Sequence, residues 1–236
     1  MIEDAIRAPG ARERALLLEA LALAFRDNPM NVEIHGPDPA RRVRANRAGL
    51  RALVLDAARP AISRVIGYEN ELVGGFVAVP PGSLPLPAPS LRRQVGCLLS
   101  QGARAMERWA RVAEAMGRTH PLQPHWYLAV LGVRPDRQGR GFGGQLLDEL
   151  ARVVAREPAP LYLESDRAES VAFYRAHGFE IRGVTRVFGL PCWQLGRGFA
   201  DDEAVLCDSV REDPVFPPDP PTACGAARPP ESEVAP

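Results

Sequence analysis

The chain has 236 residues and a formal net charge of zero, with 29 basic and 29 acidic side chains. A neutral chain has no overall field that would draw it to nucleic acid or to a membrane surface. It contains no run of about 18 apolar residues, so the sequence predicts no transmembrane helix.

Two further features of the composition exclude classes of chemistry. All 29 basic residues are arginines, which excludes a catalytic lysine and a Schiff base. The four cysteines are widely scattered and form no C-x-x-C pair, and histidine is scarce, so we expect no metal site. The first residues include acids and no uninterrupted apolar segment, so we expect no signal peptide and a cytoplasmic protein.

The N-terminal half of the chain is predicted to contain both helices and strands, from the helical or alternating spacing of its apolar residues. In chain order these are a strand within 1–8, a helix over 11–26 ended by Asn28-Pro29, a helix over 40–58, strands over 62–68 and 71–79, a proline-rich loop over 80–89, a helix over 91–116 and a loop over 117–124. The two strands are expected to form a hairpin about Glu69-Asn70.

The C-terminal half has the stronger pattern. In chain order it predicts a buried strand over 126–133, a glycine-rich loop, a helix over 143–156, a strand over 161–163 that ends at Glu164, a helix over 169–177 stopped by Gly178, and strands over 179–188 and 192–195. We therefore predict one α/β domain (α+β by strict count) over residues 1–211. The proline-rich remainder, 212–236, is predicted to be a disordered tail.

The segment RPDRQGRGFGGQLL, residues 134–147, carries the clearest chemical signal. Its glycines allow bare backbone to approach a ligand closely, and it runs into the start of an apolar helix. A helix start offers free N–H groups and a partial positive charge, so the segment is typical of an anion site, and a phosphate is the expected anion.

One interpretation of this loop is a Rossmann dinucleotide site. Gly139, Gly141 and Gly144 fit G-x-G-x-x-G, and Glu164 lies at a strand end where the ribose-binding acid is expected. However, five residues including Pro135 separate the preceding strand from the first glycine, and Pro interrupts a strand ladder. Fewer than 50 patterned residues follow Glu164, too few for the rest of such a fold.

A second pattern fits better. Gln138 to Gly143 contains Q-x-x-G-x-G, and residues 170–179 read SVAFYRAHGF, close to N-x-x-F-Y-x-x-x-G-F. Together, in this order and spacing, they resemble the acyl-CoA-binding motifs of the GNAT superfamily of N-acetyltransferases. The strong resemblance covers roughly 124–197. The segments 124–128 and 163–165 look most like the branch that contains puromycin N-acetyltransferase.

The resemblance implies a fold and a ligand. The fold is a mixed, mostly antiparallel central sheet flanked by helices, with strands splayed at the CoA site, and the ligand is acetyl-CoA. The backbone of 138–144 would hold the pyrophosphate, Arg137 and Arg140 would pair with phosphates, and the strand end would pair with the pantetheine arm. The residues expected to bind it are Leu131, Gly132, Val133, Arg137, Gln138, Gly139, Arg140, Gly141, Phe142, Gly143, Gly144, Ser170 and Phe173.

Two of these positions carry particular expectations. Ser170 stands where the family often has Asn, and its shorter side chain reaches less far towards the pantetheine arm. Gly132 either allows close approach of the ligand or relieves crowding within the sheet.

The resemblance also implies direct attack of an amine on the thioester, without an acyl-enzyme. A backbone N–H near Leu131 would stabilise the oxyanion, and Tyr174 would hydrogen-bond or protonate the leaving thiolate. Glu164 is the expected general base, and its other role would be to cap the following helix or to pair with Arg167. His125 and Tyr127 are alternative bases or water-holding groups.

The acceptor is expected to be a primary amine of a small molecule. Within the superfamily, a peptide or protein acceptor is the alternative, and outside it a CoA-binding protein of this fold without turnover. We expect no metal, no nucleic acid and no membrane as partners, and a monomer or homodimer.

Overall fold

The computed structural model describes residues 5–54, 61–86 and 88–200, with the side chains of 52–54 not described. The helices are α1 Ala11–Ala24, α2 Pro29–His35, α3 Pro39–Val54, α4 Leu91–Gln101, α5 Ala103–Thr119, α6 Phe142–Val154 and α7 Ala168–Ala176. The strands are β1 Ile6–Arg7, β2 Ile62–Tyr68, β3 Glu71–Val79, β4 Trp126–Val133, β5 Leu161–Ser165, β6 Glu180–Val187 and β7 Leu190–Arg197.

The seven described strands form one sheet in the order β1-β2-β3-β4-β5-β7-β6. Only β4 and β5 run parallel, and every other neighbouring pair is antiparallel. The turn between β2 and β3 places Glu69 and Asn70 at positive φ, the backbone that a two-residue hairpin requires. The predicted mixed, mostly antiparallel sheet flanked by helices is confirmed.

The centre of the sheet is split. The parallel strands β4 and β5 pair only at Trp126 with Leu161 and at Tyr127 with Tyr162. Beyond these pairs the strands diverge, while β4 stays paired with β3 as far as Val133. A register shift between Val77 and Ala78 leaves one extra residue in β4 at this point, a bulge that bends the strand. The predicted splayed strands are therefore present.

Two apolar layers cover the two faces of the sheet. On one face α6 and α7 pack through Leu146, Leu150 and Val171 against Leu161 and Leu163 of β5. On the other face α1 packs through side chains including Leu17 and Leu21 against β2 and β3. Burying each such leucine fully contributes about 1.5–3 kcal/mol. Since side chains alternate along a strand, Tyr162 and Glu164 lie on the face opposite Leu161 and Leu163.

The structure differs from the sequence prediction at two helix ends. Asn28-Pro29 was expected only to end the first helix, but Pro29 is the first residue of α2, a position that suits its fixed φ. The single helix predicted over 91–116 is two helices, because Gly102 ends α4 at a φ of 84° and the chain turns before α5.

Residues 201–236, which include the predicted tail, lie outside the described residues. The helices of the described part include none that is both long and apolar enough to cross a bilayer. Among the same residues there is no group of three or more His, Cys, Asp or Glu side chains placed to hold a metal ion.

Candidate active site

A cleft of about 520 Å³ opens where β4 and β5 separate. Its walls come from the end of α1, the C-terminal half of β4, the loop after β4 and the start of α7. The lining residues include all the predicted cofactor-binding positions except Arg140. Of the two predicted catalytic residues, Tyr174 lines this cleft and Glu164 does not.

The loop between β4 and α6 exposes backbone to the cleft. Gly139 and Gly141 have φ values of 75° and 81°, and a Cβ added to either would meet no atom within 4 Å. The first helical hydrogen bond of α6 runs from the Gln145 N–H to the Gly141 carbonyl. The three N–H groups of residues 142–144 therefore have no partner within the helix, and they carry the positive end of its dipole.

Two side chains of the loop hold it in place. The Gln138 amide donates to the Val133 carbonyl at 2.9 Å, which ties the loop back to β4. Arg137 pairs with Glu71 at 2.9 Å and with Glu69 at 3.1 Å, and these carboxylates raise the pKa of its guanidinium. Arg137 thus links the loop to the β2–β3 hairpin while it lines the cleft.

Arg140 lies elsewhere. It lines a separate pocket of about 300 Å³ beside β1 and β2, with Tyr68 and Phe142. Phe142 lines both pockets, so Arg140 lies next to the main cleft, and its expected pairing with a phosphate stays a prediction.

The base of the cleft is tightly packed. A Cβ on Gly132 would lie 2.9 Å from the Ala24 Cβ and 3.0 Å from Leu21 Cδ2 of α1. Of the two roles expected for Gly132, relief of crowding is the one that the structure supports, and the crowding comes from α1 rather than from the sheet. Across the cleft, a Cβ on Gly143 would lie 3.2 Å from the Phe173 ring, so this glycine lets α6 approach α7.

Tyr174 reaches the cleft from α7 and is 8% exposed. Its ring packs edge-on against Phe173 and Phe179, at centroid distances of 5.2 and 5.5 Å. Burial raises the pKa of the phenol well above its ordinary value, so the hydroxyl keeps its proton. A phenol of this kind can donate a hydrogen bond throughout the physiological pH range.

Glu164 lies in a polar cluster on the opposite face of β5, with His120, His125, Tyr127 and Tyr162. Its carboxylate is 3.3 Å from Nδ1 of His120. Nε2 of His120 is 3.0 Å from Nε2 of His125, and Nδ1 of His125 is 2.7 Å from the Gln123 carbonyl. The alternative bases expected from the sequence, His125 and Tyr127, are thus neighbours of Glu164 rather than members of a separate site.

The hydrogen bonds of this cluster fix where its protons lie. A carbonyl only accepts, so Nδ1 of His125 carries a proton. Burial lowers the pKa of His125, which keeps the ring neutral and leaves its Nε2 as an acceptor for the His120 Nε2–H. Nδ1 of His120 then faces the Glu164 carboxylate, and a hydrogen bond between them requires one further proton. Glu164 and His120 are therefore placed to share one proton.

Two phenols complete the cluster. Burial and then the charge of Glu164 raise the pKa of Tyr127 and of Tyr162, so both stay protonated. The Tyr162 hydroxyl is buried and makes no hydrogen bond of normal geometry within the described residues, although the Glu164 carboxylate is close enough to affect its pKa.

His120 is the residue of this cluster that sequence reasoning missed. It follows α5 directly, in a segment predicted only as a loop. The available signal was the spacing His120-x-x-x-x-His125 just before a buried strand, in a chain with four histidines.

Comparison with known proteins shows which domain part of the chain is similar to. Residues 103–181 match the family model described as acetyltransferase (GNAT) domain. A curated relative, the N-alpha-acetyltransferase RimI of Mycobacterium tuberculosis, is 32% identical over 90 residues, which are 36% of this chain and 56% of the relative. The match thus spans about half the length of that protein.

Two solved structures share the fold. A protein described as histone acetyltransferase HPA2 and related acetyltransferase, from Corynebacterium glutamicum, aligns with a TM-score of 0.57 at 19% identity, over 83% of this chain and 96% of its own. The PaiA N-acetyltransferase of Thermoplasma acidophilum, solved in complex with coenzyme A, aligns with a TM-score of 0.51 at 10% identity, over 84% of this chain and 100% of its own. The family model thus covers about a third of the chain, and the two solved structures share its fold.

Proposed function

We propose that this protein transfers an acetyl group from acetyl-CoA to a primary amine of a small molecule, by direct attack of the amine on the thioester. The observation that carries the proposal is the split between β4 and β5. A cleft with a bare-backbone loop and Tyr174 lies on one side of it, and the proton-holding pair Glu164–His120 lies on the other face of β5.

The residues of the cleft fit the phosphate end of acetyl-CoA. The open backbone at Gly139 and Gly141 leaves room for a pyrophosphate, and the N–H groups of 142–144, which have no partner within α6, follow directly in the chain. Successive N–H groups at a helix start form an anion-binding concavity that needs no side chain. Gln138 and Arg137 then act by holding the loop in shape.

The free edge of β4 fits the pantetheine arm. Beyond Tyr127 this strand has no β5 partner, so its backbone groups on that side are available to an extended, amide-rich chain. Leu131 and Val133 line the cleft along this edge. A backbone N–H near Leu131 is placed, on this proposal, to donate to the thioester oxygen.

Acetyl-CoA supplies the activated acetyl group, and the residues of the chain handle the protons. Tyr174 approaches from the α6–α7 face and donates to the leaving sulfur. Glu164 and His120 lie on the other face, from which the amine would enter. On this proposal, one group handles the proton of the amine and the other the proton of the leaving sulfur, from the two faces of the split sheet.

Glu164 and His120 suit the removal of a proton from an ammonium group. When the pair has lost its proton, the lone pair of His120 Nδ1 faces the carboxylate across 3.3 Å. Uptake of one proton replaces this repulsion by a hydrogen bond, and this geometry is the reason for proposing the pair as the base. His120 is partly exposed and passes the proton on to solvent.

Replacement of Gly141 by Val tests the phosphate site. The change places a β-branched side chain at a φ of 81° and fills the concavity, so the affinity for acetyl-CoA should fall about tenfold to a hundredfold, the loss expected for one or two charge-assisted hydrogen bonds. Calorimetric titration with acetyl-CoA measures it.

Gly189→Val is the matched control, because Gly189 has a φ of 79°, an equally open Cβ position and a place in the β6–β7 turn away from the cleft. It should lose similar thermal stability and bind acetyl-CoA normally. Equal affinities for the two variants would show that the loop is not the phosphate site.

A peptide acceptor is the second candidate, favoured by the similarity to RimI, an N-alpha-acetyltransferase. The resemblance of 124–128 and 163–165 to the puromycin N-acetyltransferase branch favours the small molecule instead. Incubation with acetyl-CoA and either small primary amines or peptides with free N-termini separates them, with released thiol and product mass as readouts. We expect amine-dependent thiol release with small amines. Thiol release with peptides alone would mean that the acceptor is a peptide rather than a small molecule. Binding of acetyl-CoA without thiol release would indicate a non-catalytic protein.

A further inference from the structure

We propose that the groove between α3 and α4 is a second binding site, which takes a compact, multiply charged phosphate anion such as a diphosphate or triphosphate group. The groove has a volume of about 510 Å³ and shares no residue with the cleft at the β4–β5 split. The proposal of this second site goes beyond the proposed acetyl transfer and does not depend on it.

Five arginines line this groove. Arg44, Arg47 and Arg51 follow one another at intervals of three and four residues, so they lie on one face of α3. Arg92 and Arg93 face them from the first turn of α4. The guanidinium groups of two helices thus converge on one concave surface.

The positive charge of the groove is only partly balanced. Arg47 pairs with Glu19, and Arg44 reaches Asp38 at 3.9 Å with both side chains more than half exposed. Within the described residues, Arg51, Arg92 and Arg93 form no ion pair. Among the described residues, five guanidinium groups against two carboxylates leave three uncompensated charges, which a diphosphate or triphosphate would neutralise.

This arrangement is unfavourable without a ligand. Like charges three or four residues apart on a helix destabilise it by a few tenths of a kcal/mol per pair. In addition, the Nε–H of Arg47 is buried and has no hydrogen-bond partner in the described part of the chain. An anion between the helices would relieve the repulsion and offer an acceptor to the arginines. Arg is the side chain best suited to this, because its planar donors match phosphate oxygens in pairs.

At the base of the groove, α3 and α4 are in contact, and the space above them is open. The Cys97 thiol lies 3.2 Å from the Ala48 carbonyl and joins α4 to α3 at its base. Beside it Gly96 has no side chain, and a Cβ there would meet nothing within 4 Å. Ser100 adds a hydroxyl at the far end. The space above Gly96 is therefore available to a ligand of a few atoms' width.

The whole chain has no net charge, but its charges are distributed unevenly along the sequence. Residues 1–200 contain 27 arginines and 20 acidic residues, whereas 201–236 contain two arginines and nine acidic residues. Residues 1–200 are thus basic, and their field favours anions in addition to the local charges of the groove.

Calorimetric titration of the full chain with inorganic triphosphate, with and without saturating acetyl-CoA, tests the proposal. We expect one triphosphate site whose affinity is unchanged by acetyl-CoA. The double variant Arg51→Gln/Arg93→Gln should weaken triphosphate binding about tenfold or more, since charge-assisted hydrogen bonds are lost. It should bind acetyl-CoA as the parent does, and its melting temperature should not fall, because like-charge repulsion is removed.

Arg12→Gln/Arg41→Gln is the matched control, with the same two charges removed at exposed positions outside the groove. It should bind triphosphate nearly as the parent does. If both double variants weaken triphosphate binding equally, the binding comes from the overall positive charge of the domain and not from the groove. If acetyl-CoA displaces triphosphate, the triphosphate binds in the cleft at the β4–β5 split instead. Sedimentation of the parent with phosphatidylserine vesicles, in the absence of triphosphate binding, would make the groove part of a membrane-binding surface. Each of these results would overturn the proposal.

Discussion

Tyr174→Phe is expected to lower kcat by roughly ten- to a thousandfold while acetyl-CoA affinity stays nearly unchanged, the usual range for one positioned proton donor. The substitution keeps the ring, so the contacts with Phe173 and Phe179 remain. Only the hydroxyl that would donate to the leaving sulfur is lost. Steady-state kinetics with a saturating amine, together with acetyl-CoA titration, measure both effects.

The structure also predicts how the loss of kcat in Tyr174→Phe depends on pH. Burial raises the pKa of Tyr174, so the phenol is protonated over the whole range from about pH 6 to 9. The ratio of parent to variant rates should therefore be constant over that range.

Tyr68→Phe is the control, because Tyr68 packs on Phe142 outside the main cleft. It should leave kcat close to the parent value. Normal turnover of Tyr174→Phe would assign the hydroxyl no part in the reaction and leave the ring a packing role only.

The parts of the fold that were predicted from sequence are those with a strong local pattern. The bounds of β2, β3 and β4 agree with the prediction, because alternating or continuous apolar runs end at turn residues. The loop after β4 was also predictable, since glycines at fixed offsets before an apolar helix leave few other conformations. Most of the predicted cofactor-binding positions therefore line one cleft.

The parts that could not be predicted depend on contacts between distant segments. Helix α2 begins where the Asp166 carboxylate accepts the Met30 N–H at 2.7 Å and the Asn28 amide at 3.2 Å, a cap supplied from 136 residues along the chain. The role of Gly132 depends on α1, and the site of His120 depends on β5. No local pattern contains this information.

The position of Glu164 illustrates the same limit. Its strand end was predicted, but a strand end does not say which face of a split sheet a side chain occupies. The structure separates Glu164 from the cleft that holds Tyr174 and joins it to His120 instead. Tyr174 and Glu164, which were predicted to act in one site, thus lie on the two faces of the split sheet.

Glu164→Gln should impair the reaction most at low pH. An alkyl amine has a pKa of about 10, so near pH 6 nearly all of it carries a proton that the pair Glu164–His120 would remove. The amide keeps the shape but takes up no proton. As the pH rises towards about 9.5 the free amine becomes plentiful and the need for a base declines. The logarithm of kcat/KM should therefore rise more steeply with pH for the variant than for the parent, and the two curves should converge.

His120→Gln distinguishes a proton-holding pair from a lone carboxylate. If the pair removes the proton, loss of His120 should reproduce much of the low-pH deficit although Glu164 is intact, because no imidazole nitrogen then faces the carboxylate. His35→Gln is the control, since His35 accepts a hydrogen bond from Trp109 and makes no contact with the cluster among those found in the described residues. A Glu164→Gln deficit that is the same at every pH would mean that Glu164 binds the substrate rather than its proton. The base would then be sought at His125 or in an ordered water.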